Sequence, residues 1–318
     1  MPLKGIVLTT GGAGFIGSHL VEALLAMEGV EKVVVLDDLS TGSLANLAAC
    51  LDDDRLELVE ERVEEGEQLP SLVKQADYVF HLAARVSVQE SVEEPSLTHR
   101  VNVGGSLAVL EAAREADIKR LVLASSCAVY GEASSLPISE GVPPRPISPY
   151  GASKLAAEAY WLAFHEAYGL KTVVLRYFNV YGPRQRPGIY GSVILNTIGR
   201  VLKGLPPVIY GDGKQTRDFI HISDVVRATL LAAEKSSAIG QVINVGSGIE
   251  TTVEELIELI LELTGRTDLK PIYKPPRKGD IRRSWADISK ARALLGYEPK
   301  VSLEQGLREL IEHVAGGA

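Results

Sequence analysis

Cysteine is nearly absent from this sequence. Its 318 residues include two, Cys50 and Cys127, too few and too far apart for a disulfide framework or a thiolate metal site. Basic charge is also short: 33 Lys and Arg face 41 Asp and Glu, a net charge of −8, so no basic stripe is left to neutralise a nucleic-acid backbone. No apolar run reaches the length that crosses a bilayer, and strand-like sequence starts at once with no leader pattern. There is no internal repeat and no low-complexity tract. These shortages point to a cytoplasmic enzyme or binding protein without nucleic-acid, membrane or metal partners.

What is present is an alternation of short β-branched runs and amphipathic segments, the pattern of a doubly wound parallel sheet. The first run, Lys4 to Thr10, leads into Gly11, Gly14 and Gly17, spaced G-x-x-G-x-x-G ahead of a helix from Ser18 to Met27. Glycines so placed allow a tight turn and let a pyrophosphate approach the helix N-terminus. A second run, Lys32 to Leu36, ends at Asp37, where a carboxylate can accept both hydroxyls of an adenosine ribose and would repel a 2′-phosphate. The cofactor expected is NAD rather than NADP. Further strands are expected at Leu56–Val59, Ala76–Leu82, Lys119–Ser125 and Lys171–Leu175; the second ends at Leu82 before the small Ala83 and Ala84, and the third delivers Ser125 and Ser126. A long helix is expected over Ser96 to Glu115, and His81 reads as a packed strand-end histidine.

Tyr150 and Lys154 stand four apart on one face of an expected helix opened by Pro149. A phenol ordinarily ionises near pH 10, and an ammonium beside it would favour the phenolate and make it a usable base. The spacing alone fits any amphipathic helix.

The motifs Thr10-Gly-Gly-Ala-Gly-Phe-Ile-Gly17, His81-Leu-Ala-Ala84, Ser125-Ser126, Val129-Tyr-Gly131 and Tyr150-x-x-x-Lys154 resemble those of the extended short-chain dehydrogenase family. Arg176-Tyr-Phe-Asn179, Arg217-Asp218 and Arg277-x-Gly-Asp280 make the chain similar to its nucleotide-sugar epimerase/dehydratase branch. The resemblance implies a Rossmann-type α/β domain with a smaller, discontinuous α/β substrate domain. The cofactor domain would be residues 1–178, with 219–247 returning to it; residues 179–218 and 248–318 would hold the nucleotide sugar. It implies Tyr150 as base, Lys154 as holder of the nicotinamide ribose, and Ser126 as hydrogen-bond partner of the same sugar hydroxyl. Phe15, Ile16, Asp37, Val63, Asn102 and Phe178 match cofactor-side positions. Asn179, Arg217, Arg277, Asp280 and Ser284 match substrate-side ones. A homodimer through the helices bearing Asn102 and Tyr150 is implied as well.

Three departures from the family pattern shape the expected chemistry. Where dehydratases carry Asp-Glu after the hydroxyl residue, this chain has Cys127 and Ala128, so elimination is not expected. Arg62 stands where an aspartate usually meets the adenine, and Arg85 where a glutamine often follows the His-Leu-Ala-Ala motif. Ser284, small where some epimerases have tyrosine, leaves room for a 2-acetamido group. The implied reaction is 4-epimerisation of a UDP-hexose, UDP-galactose to UDP-glucose, through a 4-keto sugar. UDP-glucuronate 4-epimerisation, a nucleotide-sugar reductase and a non-catalytic NAD-sensing protein are the alternatives.

Overall fold

The computed structural model describes residues 2–186, 193–276 and 280–316. Its strands, in chain order, are β1 (Gly5–Thr10), β2 (Val30–Asp37), β3 (Leu56–Glu60), β4 (Tyr78–His81), β5 (Arg120–Ser126), β6 (Thr172–Tyr177), β7 (Asn179–Tyr181), β8 (Val208–Tyr210), β9 (Thr216–Arg217), β10 (Phe219–His221), β11 (Gln241–Val245), β12 (Thr251–Thr252) and β13 (Ile272–Lys274). Seven of them form one sheet in the order β11-β6-β5-β4-β1-β2-β3, every neighbouring pair parallel.

The strands are apolar without a break because both faces of the sheet are covered. The pleat divides each run between two cores. Val7, Val33, Val35, Val122 and Val173 pack on one side with Leu20, Leu24 and Ala228. Leu8, Val34, Leu36, Leu121 and Val174 pack on the other with Val109, Leu110 and Trp161. The helices Phe15–Leu25 and Ile222–Glu234 supply the first layer, and Gly105–Ala113 and Pro149–Tyr168 the second. A smaller core, including Tyr181, Ile198, Phe219, Ile260 and Leu307, joins the helices Val193–Leu202, Val253–Leu263 and Leu303–Gly316 beyond the sheet's carboxyl edge. The strand order reverses between β1 and β4, which opens a crevice at that edge.

One expected element differs. The helix foreseen over Ser96 to Glu115 is a short turn at Pro95–His99, a widened π turn at Arg100–Gly104 and a helix at Gly105–Ala113. Wide turns of this kind mark an inserted residue and concentrate at functional sites. Here the distortion has a visible cause: the buried Asn102 carboxamide reaches into three hydrogen bonds described below.

Candidate active site

The glycine turn is built as the sequence foresees. Gly11 has φ of +71°, and a Cβ there would stand 2.6 Å from the Ala83 nitrogen. Only glycine lets β1 and the end of β4 approach so closely. The helix that follows is capped by Gly14, has no side-chain cap and carries no acidic residue in its first turn, which includes Phe15, Ile16 and Gly17. Its free N–H groups suit an anion. Gly11, Gly14, Asp37, Val63, Ala83 and Ala84 line one cleft. Asp37 is buried at its end and accepts N–H bonds from Ala13 and Leu39, both at 2.9 Å. Burial raises the Asp37 pKa, opposed by those two bonds. The donors, the carboxylate and the glycine-lined floor fit a dinucleotide. Arg62 also lines the cleft, 3.8 Å from Asp38, while the Glu61 carboxylate accepts N–H bonds from Glu67 and Gln68.

His81 is packed, as expected, and does structural service. Ala83 N–H donates to Thr10 Oγ1 (3.4 Å), which lies 2.7 Å from His81 Nδ1; His81 Nε2 lies 3.0 Å from Ser106 Oγ, which donates to the Asn102 carbonyl at 2.7 Å. Each hydroxyl has one proton to give, so the chain is satisfied only with the His81 proton on Nε2. Burial holds this imidazole neutral, its pKa lowered to about 3. The Asn102 side chain accepts from Arg85 N–H (2.8 Å) and donates to Arg85 O (3.0 Å) and Ser153 Oγ (2.9 Å). It therefore ties the loop after β4, just past Leu82, to the Tyr150 helix.

That helix runs Pro149–Tyr168, with Ser148 accepting the Gly151 N–H at 3.1 Å and Gly169, φ +70°, closing it. Tyr150 is buried, its backbone N–H donated to Ser91 Oγ at 3.1 Å, and its phenol lies beside Ser126 at the end of β5. Burial pushes the phenol up to about 12, while Ser126 opposes the rise. The expected lowering by Lys154 is not what the structure shows. Lys154 turns away to donate to the Ala124 carbonyl at 2.9 Å, and its own pKa is lowered by burial to about 8. Desolvation is the largest influence on both groups.

Cys127 neighbours Tyr150 and Arg217, and burial pushes its thiol up to about 12, so it is protonated at neutral pH. On the far side of the crevice, the Asn179 amide donates to the Asp218 carbonyl at 3.2 Å. Arg217 donates to the Thr216 and Ile281 carbonyls, both at 2.7 Å, and pairs with Asp280. Ser284 is buried in an extended segment that Ile138 and Asp218 hold through Trp285 O and Ala286 N. Phe178 is buried with its ring 6.5 Å from that of Tyr130. Arg277 lies outside the described residues.

Sequence reasoning missed one residue here. Glu158 continues the Tyr150–Lys154 face by one more turn, and its carboxylate meets Arg176 of β6 and Ser125 of β5. The i+4 spacing was the available signal.

A glycine turn, an acidic strand end, and a tyrosine and lysine at the carboxyl edge of a doubly wound sheet define a dinucleotide-dependent enzyme of the short-chain dehydrogenase class. The chain belongs, within that class, to the NAD-dependent epimerase/dehydratase family: the family model described as GDP-mannose 4,6 dehydratase matches residues 8–310. Three solved relatives are similar over nearly the whole chain. The UDP-glucose 4-epimerase of Thermotoga maritima, solved with UDP-glucose, is 43% identical with a TM-score of 0.92, over 98% of this chain and 99% of that one. The UDP-N-acetylglucosamine 4-epimerase of Methanobrevibacter ruminantium, in complex with UDP-N-acetylmuramic acid, is 39% identical with a TM-score of 0.93 over 100% of both chains. The UDP-glucuronic acid 4-epimerase of Bacillus cereus, with UDP-glucuronic acid and NAD, is 34% identical with a TM-score of 0.91, over 98% and 100%. Among the described residues no helix is long and apolar enough to cross a membrane.

Proposed function

We propose that this chain is an NAD-dependent UDP-hexose 4-epimerase that interconverts UDP-galactose and UDP-glucose. The observation that carries this reading is the surroundings of Tyr150: a hydroxyl partner in Ser126, then a protonated thiol at Cys127 and a methyl group at Ala128. Tyr150 can exchange a proton with the sugar O4, and Ser126 can hold that oxygen in line. Neither Cys127 nor Ala128 offers a second acid or base for removing a C5 proton or expelling water. The Gly11–Ala84 cleft would hold NAD+, which would supply the hydride acceptor and later donor. Asp37 would hold the adenosine ribose, the first turn at Phe15 and Ile16 the pyrophosphate, and Val63 would lie on the adenine side. Arg62 stands there in place of a carboxylate partner and would offer the adenine a flat cation. Arg217, with Asn179, Arg277 and Asp280, holds the nucleotide diphosphate and ribose, arginine being suited to phosphate by its rigid fork of donors. Residues 1–178 with 219–247 thus serve the cofactor, and 179–218 with 248–318 the nucleotide sugar.

Small Ser284 supports acceptance of UDP-N-acetylhexosamines as well. Turnover of UDP-galactose with none of UDP-N-acetylglucosamine would sink that extension. A uronate substrate needs a cation near the sugar C6, for which Arg85 and Arg186 are the two candidates. Arg85 pairs with Glu90 at 3.0 Å and Glu94 at 3.6 Å, and Arg186 donates to the Gly42 carbonyl at 3.0 Å. Tyr160 and Tyr168, exposed on the catalytic helix, support pairing of two copies there, which light scattering tests. The function itself is tested by incubating purified protein with UDP-galactose and no added NAD. UDP-glucose should appear; a 4-keto-6-deoxy sugar, or conversion only with added reductant, overturns the reading.

A further inference from the structure

Tyr150, Lys154 and Glu158 stand at i, i+4 and i+8 on one face of the helix Pro149–Tyr168, and all three are buried. A buried carboxylate that touches no solvent requires a reason. Glu158 is 2% exposed in its side chain and Arg176 6%. Arg176 Nε lies 3.0 and 3.2 Å from the two Glu158 oxygens, and its Nη2 lies 2.6 Å from Oε2. Ser125 donates its hydroxyl to the same carboxylate. Ser125 is flanked by Ala124, whose carbonyl receives the Lys154 ammonium, and by Ser126, which lies beside the Tyr150 phenol. The anion is thus fastened to the strand that positions both reactive side chains.

The groups facing Lys154 can be named element by element. β4 contributes His81, held neutral by burial. β5 contributes the Ala124 carbonyl and the Ser125 hydroxyl, and the turn after it contributes Tyr130, a neutral phenol with the Arg176 guanidinium 4.7 Å over its ring. β6 contributes Arg176, and the lysine's own helix contributes Tyr150 and Glu158. Among these described residues Glu158 is the one anion. Burial lowers the Lys154 pKa and Glu158 is what opposes it. Without that carboxylate nothing would oppose the burial of the ammonium, and the amine would lose its proton more readily.

We propose that Glu158 is a positioning residue of the active site: clamped by Arg176 and Ser125, it keeps Lys154 charged and seated against β5. The proposal rests on the role given to Lys154 under the proposed function. A charged lysine is present below its pKa and lost as pH rises through it, so the alkaline limb of activity reports it. Three variants form a charge cycle: Glu158→Gln, Arg176→Met and the two together. E158Q should shift the alkaline limb of kcat down by about one pH unit, R176M should shift it up, and the double variant should fall between them. Glu158→Asp, which keeps the charge, should restore most of the E158Q shift. NAD retained after gel filtration, measured across the same pH range, is a second readout that needs no turnover and should move in step.

A merely structural pair predicts otherwise: lower melting temperature with an unmoved limb. An E158Q limb within about 0.3 pH units of wild type, or a double variant displaced as far as E158Q, overturns the proposal. Should E158Q not accumulate as folded protein, R176M compared with the double variant measures the same loss of charge. Absence of epimerase activity in the wild type would refute the proposed function, while the pH dependence of NAD retention would still decide the role of Glu158.

Discussion

Two arginine–carboxylate pairs stand in opposite settings. Arg176–Glu158 lies under the catalytic helix with its fork, its carboxylate and a serine hydroxyl sealed from water. Arg217–Asp280, on the side given to the nucleotide sugar under the proposed function, has side chains 17% and 32% exposed, and the neighbouring Arg282 and Arg283, paired with Asp212 and Glu250, are more open still. The buried pair is part of the scaffold, because breaking it strands a charge in a dry site. The open pairs are exchangeable, because water and salt weaken them and an incoming phosphate can outbid a carboxylate for a guanidinium. The cofactor side of the molecule is thus assembled in advance, and the substrate side is poised to trade partners.

This contrast makes separable predictions. Tyr150→Phe should reduce kcat by about 10²- to 10⁴-fold through loss of proton exchange, with NAD content and melting temperature unchanged. Arg176→Met should cost about 3–5 kcal/mol of stability in urea unfolding, since Glu158 is left buried and unpaired. His81 stays neutral in the fold and protonates in the unfolded chain, so the unfolded state binds the extra proton between its ordinary 6.5 and about 3. Stability should therefore fall by about 1.4 kcal/mol per pH unit as pH drops through that window. His81→Gln should remove one proton's worth of that slope. Arg217→Met should cost under about 1 kcal/mol of stability. Its effect belongs in the KM for UDP-galactose, raised about 10- to 100-fold by loss of a charge-assisted bond. An Arg217 variant that unfolds, or an Arg176 variant as stable as wild type, would erase the distinction between the two sides.

Much of this site is legible in the sequence because its determinants are local. Gly11 must be glycine for reasons that lie within one turn and one neighbouring strand, and Asp37 ends a strand whose β-branched run is visible directly. The wide turn at Asn102 is not legible. It is imposed by Arg85 and Ser153, 17 and 51 residues away in the chain. The Lys154 contact with Ala124 is equally non-local, and the expected lowering of the Tyr150 phenol gives way to burial that no spacing rule reports. Glu158 is visible as a third residue on a known face, yet its meaning depends on Arg176 in the next strand.

The narrowness of the chemistry at Tyr150 can be read from isotopes. UDP-galactose carrying deuterium at C4 is converted in ordinary water, and the unlabelled sugar in heavy water, with mass spectrometry of the UDP-glucose formed. A site with Tyr150 and Ser126 but no acid–base pair at Cys127 and Ala128 should return the C4 label to the same carbon and take up no solvent deuterium at C5. Loss of the C4 label, or deuterium at C5, would contradict it.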